Sequence, residues 1–203
     1  MKVLVTGFDP FGGEKVNPAY ETVKRLGNKI EGAEIVKLEL PTVFRKSIRL
    51  LEEALEKEEP DIVICVGQRG GADKINVERI AINISDARIP DNEGNQPVDE
   101  PIFDDGDNAY FSKLPVKSII EELNKNKIPA EISNSAGTYV CNHIMYGLLY
   151  NINKKYPNTI GGFIHIPFIP DQVIDKKKTP SMSLDYMVEA LTIAIKVTLR
   201  EKK

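Results

Sequence analysis

Short apolar runs alternate along the chain with longer segments in which apolar residues recur every three or four positions. The first pattern is typical of buried strands and the second of amphipathic helices. The apolar runs predict strands over 2–6, 35–40, 62–67, 74–84, 129–133 and 161–167. The helical pattern predicts helices over 18–27, 43–58, 115–126 and 143–155, and a final helix that begins after Ser183. This alternation predicts an α/β fold with three α/β/α layers, in which a mostly parallel or mixed central sheet lies between two helix layers.

Short sequence patterns predict where two helices begin and where one long loop lies. Asn17 followed by Pro18 is a typical N-cap and first helical position, and Ser183 is a typical N-cap for the last helix. The run 62–67 is apolar on both faces, which indicates a central strand covered by helices on each side. Residues 85–108 are polar and rich in Pro, Asp and Gly, and we expect a long functional or mobile loop there.

Composition indicates one soluble domain spanning 1–203. A chain of 203 residues is long enough for a sizeable core, and a net charge of −3 gives no reason to expect nucleic acid or a membrane as a partner. No apolar run approaches the ~20 residues that span a bilayer. The apolar start 1–7 is too short for a secretory signal, and two cysteines without such a signal predict a reducing cytoplasm. No cysteine or histidine spacing suggests a metal site.

Cys141 lies where an extended segment gives way to a helical one. After the predicted strand 129–133 comes a turn at 135–137, and Cys141 then falls in or near the first turn of the next helix. The free N–H groups and the dipole of a helix N-terminus stabilise an anion, so a thiol there tends towards thiolate. Cys141 is therefore a candidate nucleophile, with a buried apolar filler as the alternative. We expect Cys65, inside the central strand, to be such a filler.

Two histidines are candidates for the base that such a thiol requires. A thiol nucleophile needs a base that takes its proton and a third group that orients the base. His143 follows Cys141 by two residues, which is about 200° around a helix, so we expect it to face away and to be partly exposed. His165 ends its own strand, at the sheet edge where the loops of an α/β fold gather. The spacing favours His165, with a hydrogen-bonded core histidine as the alternative.

Glu78 is a carboxylate in the middle of an apolar strand. Burial of a charge is costly unless the charge is paired, so Glu78 should have a partner. The candidate partners in the sequence are Arg69, Arg79, Arg88 and His165. A structural salt bridge is the alternative to a catalytic role. The acidic residues between 99 and 107 are expected to form a solvated loop face.

Several short motifs follow one another in a characteristic order along nearly the whole chain. They are GFDPFGG at 7–13 with NP at 17–18, VGQ at 66–68, ERIA at 78–81, DARIPDN at 86–92, SNSAG at 133–137 with CN at 141–142, and FIHIP at 163–167. Each motif alone is weak, but together they are highly specific. The chain resembles the pyroglutamyl peptidase I family, also called pyrrolidone-carboxylate peptidases, which are cysteine peptidases.

The resemblance implies a catalytic triad of Cys141, His165 and Glu78. It also implies that Arg88, in the DARIP motif, lies near the thiol. Members of this family hydrolyse the amide bond after an N-terminal pyroglutamyl (5-oxoprolyl) residue of peptides, through a thioester acyl-enzyme. Their fold is a single α/β/α sandwich. They are soluble, use no cofactor and are commonly homotetrameric.

The resemblance also implies a pocket for the pyrrolidone ring. Phe8 and Phe11 would form its aromatic walls, and Asn17 and Gln68 would lie near it. Two rival interpretations remain. A phosphate- or nucleoside-binding α/β protein would use the Gly-rich loop 7–13, although that loop matches neither the P-loop nor the GxGxxG pattern. The other rival is an inactive oligomeric scaffold of the same fold.

Overall fold

The computed structural model describes residues 1–202, and its helices and strands alternate as the sequence predicts. The strands are β1 (Lys2–Phe8), β2 (Lys29–Ile30), β3 (Ala33–Leu40), β4 (Ile62–Gln68), β5 (Ile75–Glu78), β6 (Ile80–Ile82), β7 (Ala109–Phe111), β8 (Ala130–Ser133) and β9 (Ile160–Ile166). The α-helices are α1 (Pro18–Arg25), α2 (Lys46–Glu58), α3 (Val116–Lys125), α4 (Val140–Lys154) and α5 (Leu184–Glu201). A short 3-10 helix covers Pro170–Gln172.

The central sheet has the strand order β2-β3-β1-β4-β9-β5-β8. Strands β3, β1, β4 and β9 are parallel to one another. Strand β5 pairs antiparallel with β9 and parallel with β8, and β2 is an antiparallel edge strand. Strands β6 and β7 form a separate antiparallel pair. The predicted mostly parallel or mixed sheet is confirmed, and the carboxyl ends of β1, β4 and β9 lie at one edge of it.

An apolar core lies on each face of the sheet. Helices α1, α3 and α5 pack on one face, and α2 and α4 pack on the other. Ile64 of β4 belongs to the first core and Cys65 to the second, because successive side chains of a strand point to opposite faces. This explains why β4 is apolar throughout. Cys65 is fully buried, as expected for a core residue.

Most of the predicted elements are confirmed, and two details differ. Both predicted N-caps are present, since Asn17 accepts a hydrogen bond from the N–H of Ala19 and Ser183 accepts one from Tyr186. The predicted strand 74–84 is interrupted, so that β5 belongs to the central sheet while β6 pairs with β7. The sequence does not predict β2 and β7 because runs of two or three residues carry little periodicity.

The long polar loop 85–108 folds back on itself and is tied to the domain. Ser85 and Glu100 exchange backbone hydrogen bonds of 2.7 and 3.0 Å. The Asp91 carboxylate accepts hydrogen bonds from the backbone N–H groups of Phe44 at 2.9 Å and Asn95 at 2.9 Å. These bonds hold the loop against the segment that leads into α2.

Candidate active site

Cys141 is the second residue of α4, so the prediction that it lies in the first turn of a helix is confirmed. Its side chain is half-buried. A β-carbon built on Gly67 of β4 would lie 2.8 Å from the Cys141 sulfur. Gly67 pairs with His165 in the parallel register of β4 and β9. Because paired residues of neighbouring strands point to the same face, the Cys141 sulfur and the His165 ring lie on the same side of the sheet.

His165 has one close carboxylate partner. Its Nδ1 atom is 2.8 Å from Oε1 of Glu78, and both side chains are buried. Their proximity follows from the antiparallel register in which Asn76 pairs with His165, since Glu78 is two residues further along β5 and points to the same face. A neutral imidazole in this position donates from Nδ1 to the carboxylate, which leaves Nε2 as its basic nitrogen.

The other proposed partners of Glu78 lie further away or elsewhere. The Nη1 atom of Arg69 is 3.8 Å from Oε1 of Glu78, and it also donates to Asn76 at 2.9 Å. Arg79 instead donates to Asn134 at 2.9 Å. The second carboxylate oxygen of Glu78 is buried without a hydrogen-bond partner among the described residues. The carboxylate is therefore held mainly by His165, with Arg69 next to it.

The surroundings of the Cys141 thiol shift its pKa in the direction opposite to the one expected from its position in the helix. Burial raises the pKa of Cys141 to about 12, and repulsion from Glu78 and Cys65 acts in the same direction. The expectation of a thiolate at Cys141 is therefore wrong for the free protein, because desolvation outweighs the helix dipole. Cys141 is protonated at neutral pH and becomes a nucleophile only when a base removes its proton.

The N-terminus of α4 is open towards the thiol. Within residues 1–202, no side chain caps this helix, whose N-cap residue is Tyr139. The first N–H groups of α4 are therefore available for an oxygen anion. Asn142 fixes this end of the helix, because its side chain accepts a hydrogen bond of 3.0 Å from the Ile82 N–H and donates to the carbonyl oxygens of Ile82 and Ile84.

A narrow cavity of about 10 Å³ has Cys141 in its lining. Its lining residues are Phe8, Phe11, Asn17, Thr42, Gln68, Tyr139, Val140 and Cys141. All four residues expected near the pyrrolidone ring are among them. The amide of Asn17 is already engaged, because it caps α1 and donates to the Asp9 carbonyl oxygen at 2.8 Å.

Arg88 does not line this cavity. Its side chain is exposed, and no partner for its guanidinium is found among the described residues. The segment that carries it does run beside the start of α4, since Thr138 donates to the Asp86 carbonyl oxygen and Tyr139 to that of Pro90. The implied closeness of Arg88 to the thiol stays a prediction.

His143 lies in a different environment from Cys141. It is only 3% exposed, so the expectation of partial exposure is wrong. The loop 85–108 and the segment before α2 cover it: its Nε2 accepts a hydrogen bond of 2.8 Å from the Arg45 N–H, and its Nδ1 is 2.9 Å from the Ser85 hydroxyl. Burial lowers the pKa of His143 to about 4, and the charge of Arg45 acts in the same direction. His143 is a neutral structural residue that lines wider clefts away from the thiol.

Comparison with known proteins matches the pyroglutamyl peptidase family profile to residues 1–201. The chain belongs to the pyroglutamyl peptidase family. Among its relatives, the pyrrolidone-carboxylate peptidase of Thermosipho africanus is 65% identical over 99% of this chain and 98% of its own length. That of Thermosipho melanesiensis is 61% identical over the full length of both proteins.

Solved structures of this family have the same fold. Pyroglutamyl peptidase I from Bacillus amyloliquefaciens superimposes with a TM-score of 0.96 at 53% identity, covering 100% of this chain and 98% of that one. A mutant pyrrolidone carboxyl peptidase from Pyrococcus furiosus gives a TM-score of 0.97 at 50% identity, covering 99% of both chains. As a pyroglutamyl peptidase family member, the chain is a cysteine peptidase. These matches give no support to a nucleoside-binding protein or an inactive scaffold.

Sequence reasoning missed four residues of this peptidase site. Thr42, Tyr139 and Val140 line the cavity, and Gly67 leaves room for the sulfur of Cys141. The Tyr139 ring lies 6.2 Å from that of Phe11 and meets Phe44 edge-on at 5.4 Å, so it forms a third aromatic wall. Its position two residues before Cys141 was the only sequence signal for it.

No helix of the described chain is long and apolar enough to span a bilayer.

Proposed function

We propose that the chain is a cysteine exopeptidase that hydrolyses the amide bond after an N-terminal pyroglutamyl residue of peptides. In this proposal Cys141 is the nucleophile, His165 is the base and Glu78 orients the base. The observation that carries the assignment is a narrow aromatic-lined cavity with Cys141 in its lining, on the sheet face of the buried His165–Glu78 pair.

The reaction begins with proton transfer, because the Cys141 thiol is neutral at pH 7. Nε2 of His165 takes the proton as the sulfur attacks the carbonyl carbon that joins pyroglutamate to the next residue. Glu78 holds His165 in the tautomer that leaves Nε2 basic, and its charge stabilises the imidazolium. His165 then gives the proton to the leaving amine. The resulting thioester is hydrolysed by water, which His165 activates in turn.

The developing oxyanion needs donors in a fixed position. The N–H groups of the first turn of α4 supply them, since this helix end has no side-chain cap in the described structure and adjoins the sulfur. Arg88 is a further proposed contributor, through the 86–90 segment that is hydrogen-bonded to Thr138 and Tyr139.

Selectivity for the lactam follows from the character of the cavity. Phe8, Phe11 and Tyr139 provide apolar walls for a small flat ring, and Gln68 provides a polar contact. No carboxylate is among the described lining residues. A charged amino terminus would lose its hydration there without gaining a counter-ion, so ordinary peptides are excluded.

We also propose a homotetramer in the cytoplasm that needs no cofactor. Large apolar side chains are exposed, Phe111 at 66% and Ile174 at 79%, and subunit contacts would cover such surface. Both cysteines are free thiols, which suits a reducing compartment. Light scattering coupled to size-exclusion chromatography should give four times the chain mass of 22.7 kDa.

A fluorogenic pyroglutamyl amide tests the function directly. The wild type should cleave it, while Cys141→Ala and His165→Ala should lose at least about 1,000-fold in kcat. The matched control is His143→Gln, which should retain activity because His143 lines a different cleft. An inactive but folded His143→Gln together with an active His165→Ala would overturn the assignment of the base.

A further inference from the structure

Gln172 joins three parts of the chain next to a residue that lines the cavity. It is the last residue of the short 3-10 helix, and its side chain lies beside Gln68, which lines the cavity. Its Nε2 atom is 2.9 Å from Oε1 of Gln68, 3.3 Å from the Val16 carbonyl oxygen and 3.4 Å from Oε2 of Glu14. Its Oε1 atom accepts a hydrogen bond of 3.1 Å from the N–H of Ile169.

These partners fix the orientation of the Gln172 amide. A backbone N–H can only donate, so the atom that faces Ile169 is the amide oxygen. A carbonyl oxygen and a carboxylate can only accept, so the atom that faces Val16 and Glu14 is the amide nitrogen. The hydrogen bond from Lys176 lowers the pKa of Glu14, which keeps that carboxyl ionised at neutral pH. The assignment thus rests on partners that each have a single possible role.

The orientation of Gln172 in turn sets that of Gln68. The Gln68 atom that meets the Gln172 donor must be an acceptor, which is Oε1. The Nε2 group of Gln68 then remains as a donor, and no acceptor for this donor is found within residues 1–202. Gln68 lines the cavity, and its side chain therefore has a hydrogen-bond donor to spare there.

We propose that Gln172 is a positioning residue that holds the Gln68 amide with its N–H donor directed into the substrate cavity. This inference rests on the proposed function. The scissile carbonyl faces the N–H groups of α4, so the ring carbonyl of the lactam is the acceptor left for Gln68. A fixed donor selects that carbonyl and disfavours a prolyl ring, which lacks it. Without Gln172 the Gln68 amide is free to turn and to present its oxygen instead.

The test uses Gln172→Met, Gln68→Met and the double variant, with Lys125→Met as the matched control. Lys125→Met removes an exposed ion pair to Glu122 on α3 and leaves Glu14, Gln68 and Gln172 with all their contacts. Each variant is assayed on the fluorogenic pyroglutamyl amide and for competitive inhibition by pyrrolidone, the free lactam ring. Thermal unfolding checks the fold, and Gln172→Asn replaces Gln172→Met if the latter does not fold.

Gln172→Met should raise KM and the inhibition constant of pyrrolidone together, by about fivefold to tenfold, with kcat within about twofold of wild type. In the Gln68→Met background it should have no further effect, because Gln172 acts through Gln68. Lys125→Met should behave as wild type. The inference would be overturned if Gln172→Met lowered kcat instead of raising KM. It would also be overturned if Gln172→Met raised KM by the same factor in the Gln68→Met background.

Failure of the proposed function is a separate outcome. If the wild type does not cleave the amide, the role of Gln172 is measured by calorimetric titration of pyrrolidone into wild type and Gln172→Met. Weaker binding by Gln172→Met then upholds the positioning role without the peptidase activity. Equal affinities, or no binding by the wild type, overturn it.

Discussion

Gly67 and Cys141 are matched in space: a β-carbon on Gly67 would lie 2.8 Å from the Cys141 sulfur and 2.6 Å from the Phe163 ring. Because Gly67 has no side chain, the Cys141 thiol can approach strand β4 beside His165. Several properties of the site follow from this close packing of sulfur, aromatic ring and strand.

Replacement Gly67→Ala should lower kcat/KM by about 100-fold or more, because the methyl group displaces the sulfur from its line of attack. The matched control is Gly162→Ala, whose methyl group would meet Leu114 at 2.8 Å in the core on the opposite face. We expect the control to lose stability in urea unfolding but to retain its activity per folded molecule. Equal activities of the two variants would contradict a specific role for Gly67.

Replacement Glu78→Gln should lower kcat by about 100-fold or more with little change in KM. The amide is nearly isosteric, but it removes the charge that stabilises the imidazolium and no longer fixes the His165 tautomer. Glu131→Gln on neighbouring β8 is the control, since the contacts of that exposed carboxylate within residues 1–202 are to Asn76 and Lys74. Steady-state kinetics measure kcat and KM of both variants. A Glu78→Gln variant with wild-type kcat would show that Glu78 has no role in the mechanism.

The rate at which iodoacetamide alkylates Cys141 should rise about tenfold per pH unit between pH 6 and 9. Burial raises the pKa of Cys141 to about 12, so the thiolate fraction grows with pH throughout this range. At pH 7 the rate should lie at least about tenfold below that of free cysteine. A Cys65→Ala background assigns the reaction to Cys141, and a plateau between pH 6 and 8 would indicate a preformed thiolate–imidazolium pair instead.

The free energy of unfolding should depend on His143 in acid. Burial lowers the pKa of His143 from 6.5 to about 4, so between these values the unfolded chain binds more protons than the folded one. The stabilisation is complete above about pH 6.5 and is lost as the pH falls towards 4, by about 3 kcal/mol at most. Urea unfolding from pH 4 to 7 should give a shallower slope for His143→Gln than for wild type. Identical slopes would mean that His143 does not titrate as its burial requires.

The sequence determined the features that depend on neighbouring residues in the chain. The alternation of strands and helices follows from local periodicity, and Asn17 and Ser183 start their helices because short polar side chains satisfy free N–H groups. The first-turn position of Cys141 follows in the same way. The order of the motifs along the chain was sufficient to identify the family.

Only the tertiary structure decided what depends on residues far apart in the chain. The antiparallel pairing of β5 with β9 brings Glu78 to His165. No local sequence pattern shows whether the partner of Glu78 is a histidine or an arginine. The burial of Cys141 reverses the direction in which its helix would shift its pKa. The loop over His143 makes it a neutral core residue, because burial depends on what packs against a residue and not on its spacing from Cys141.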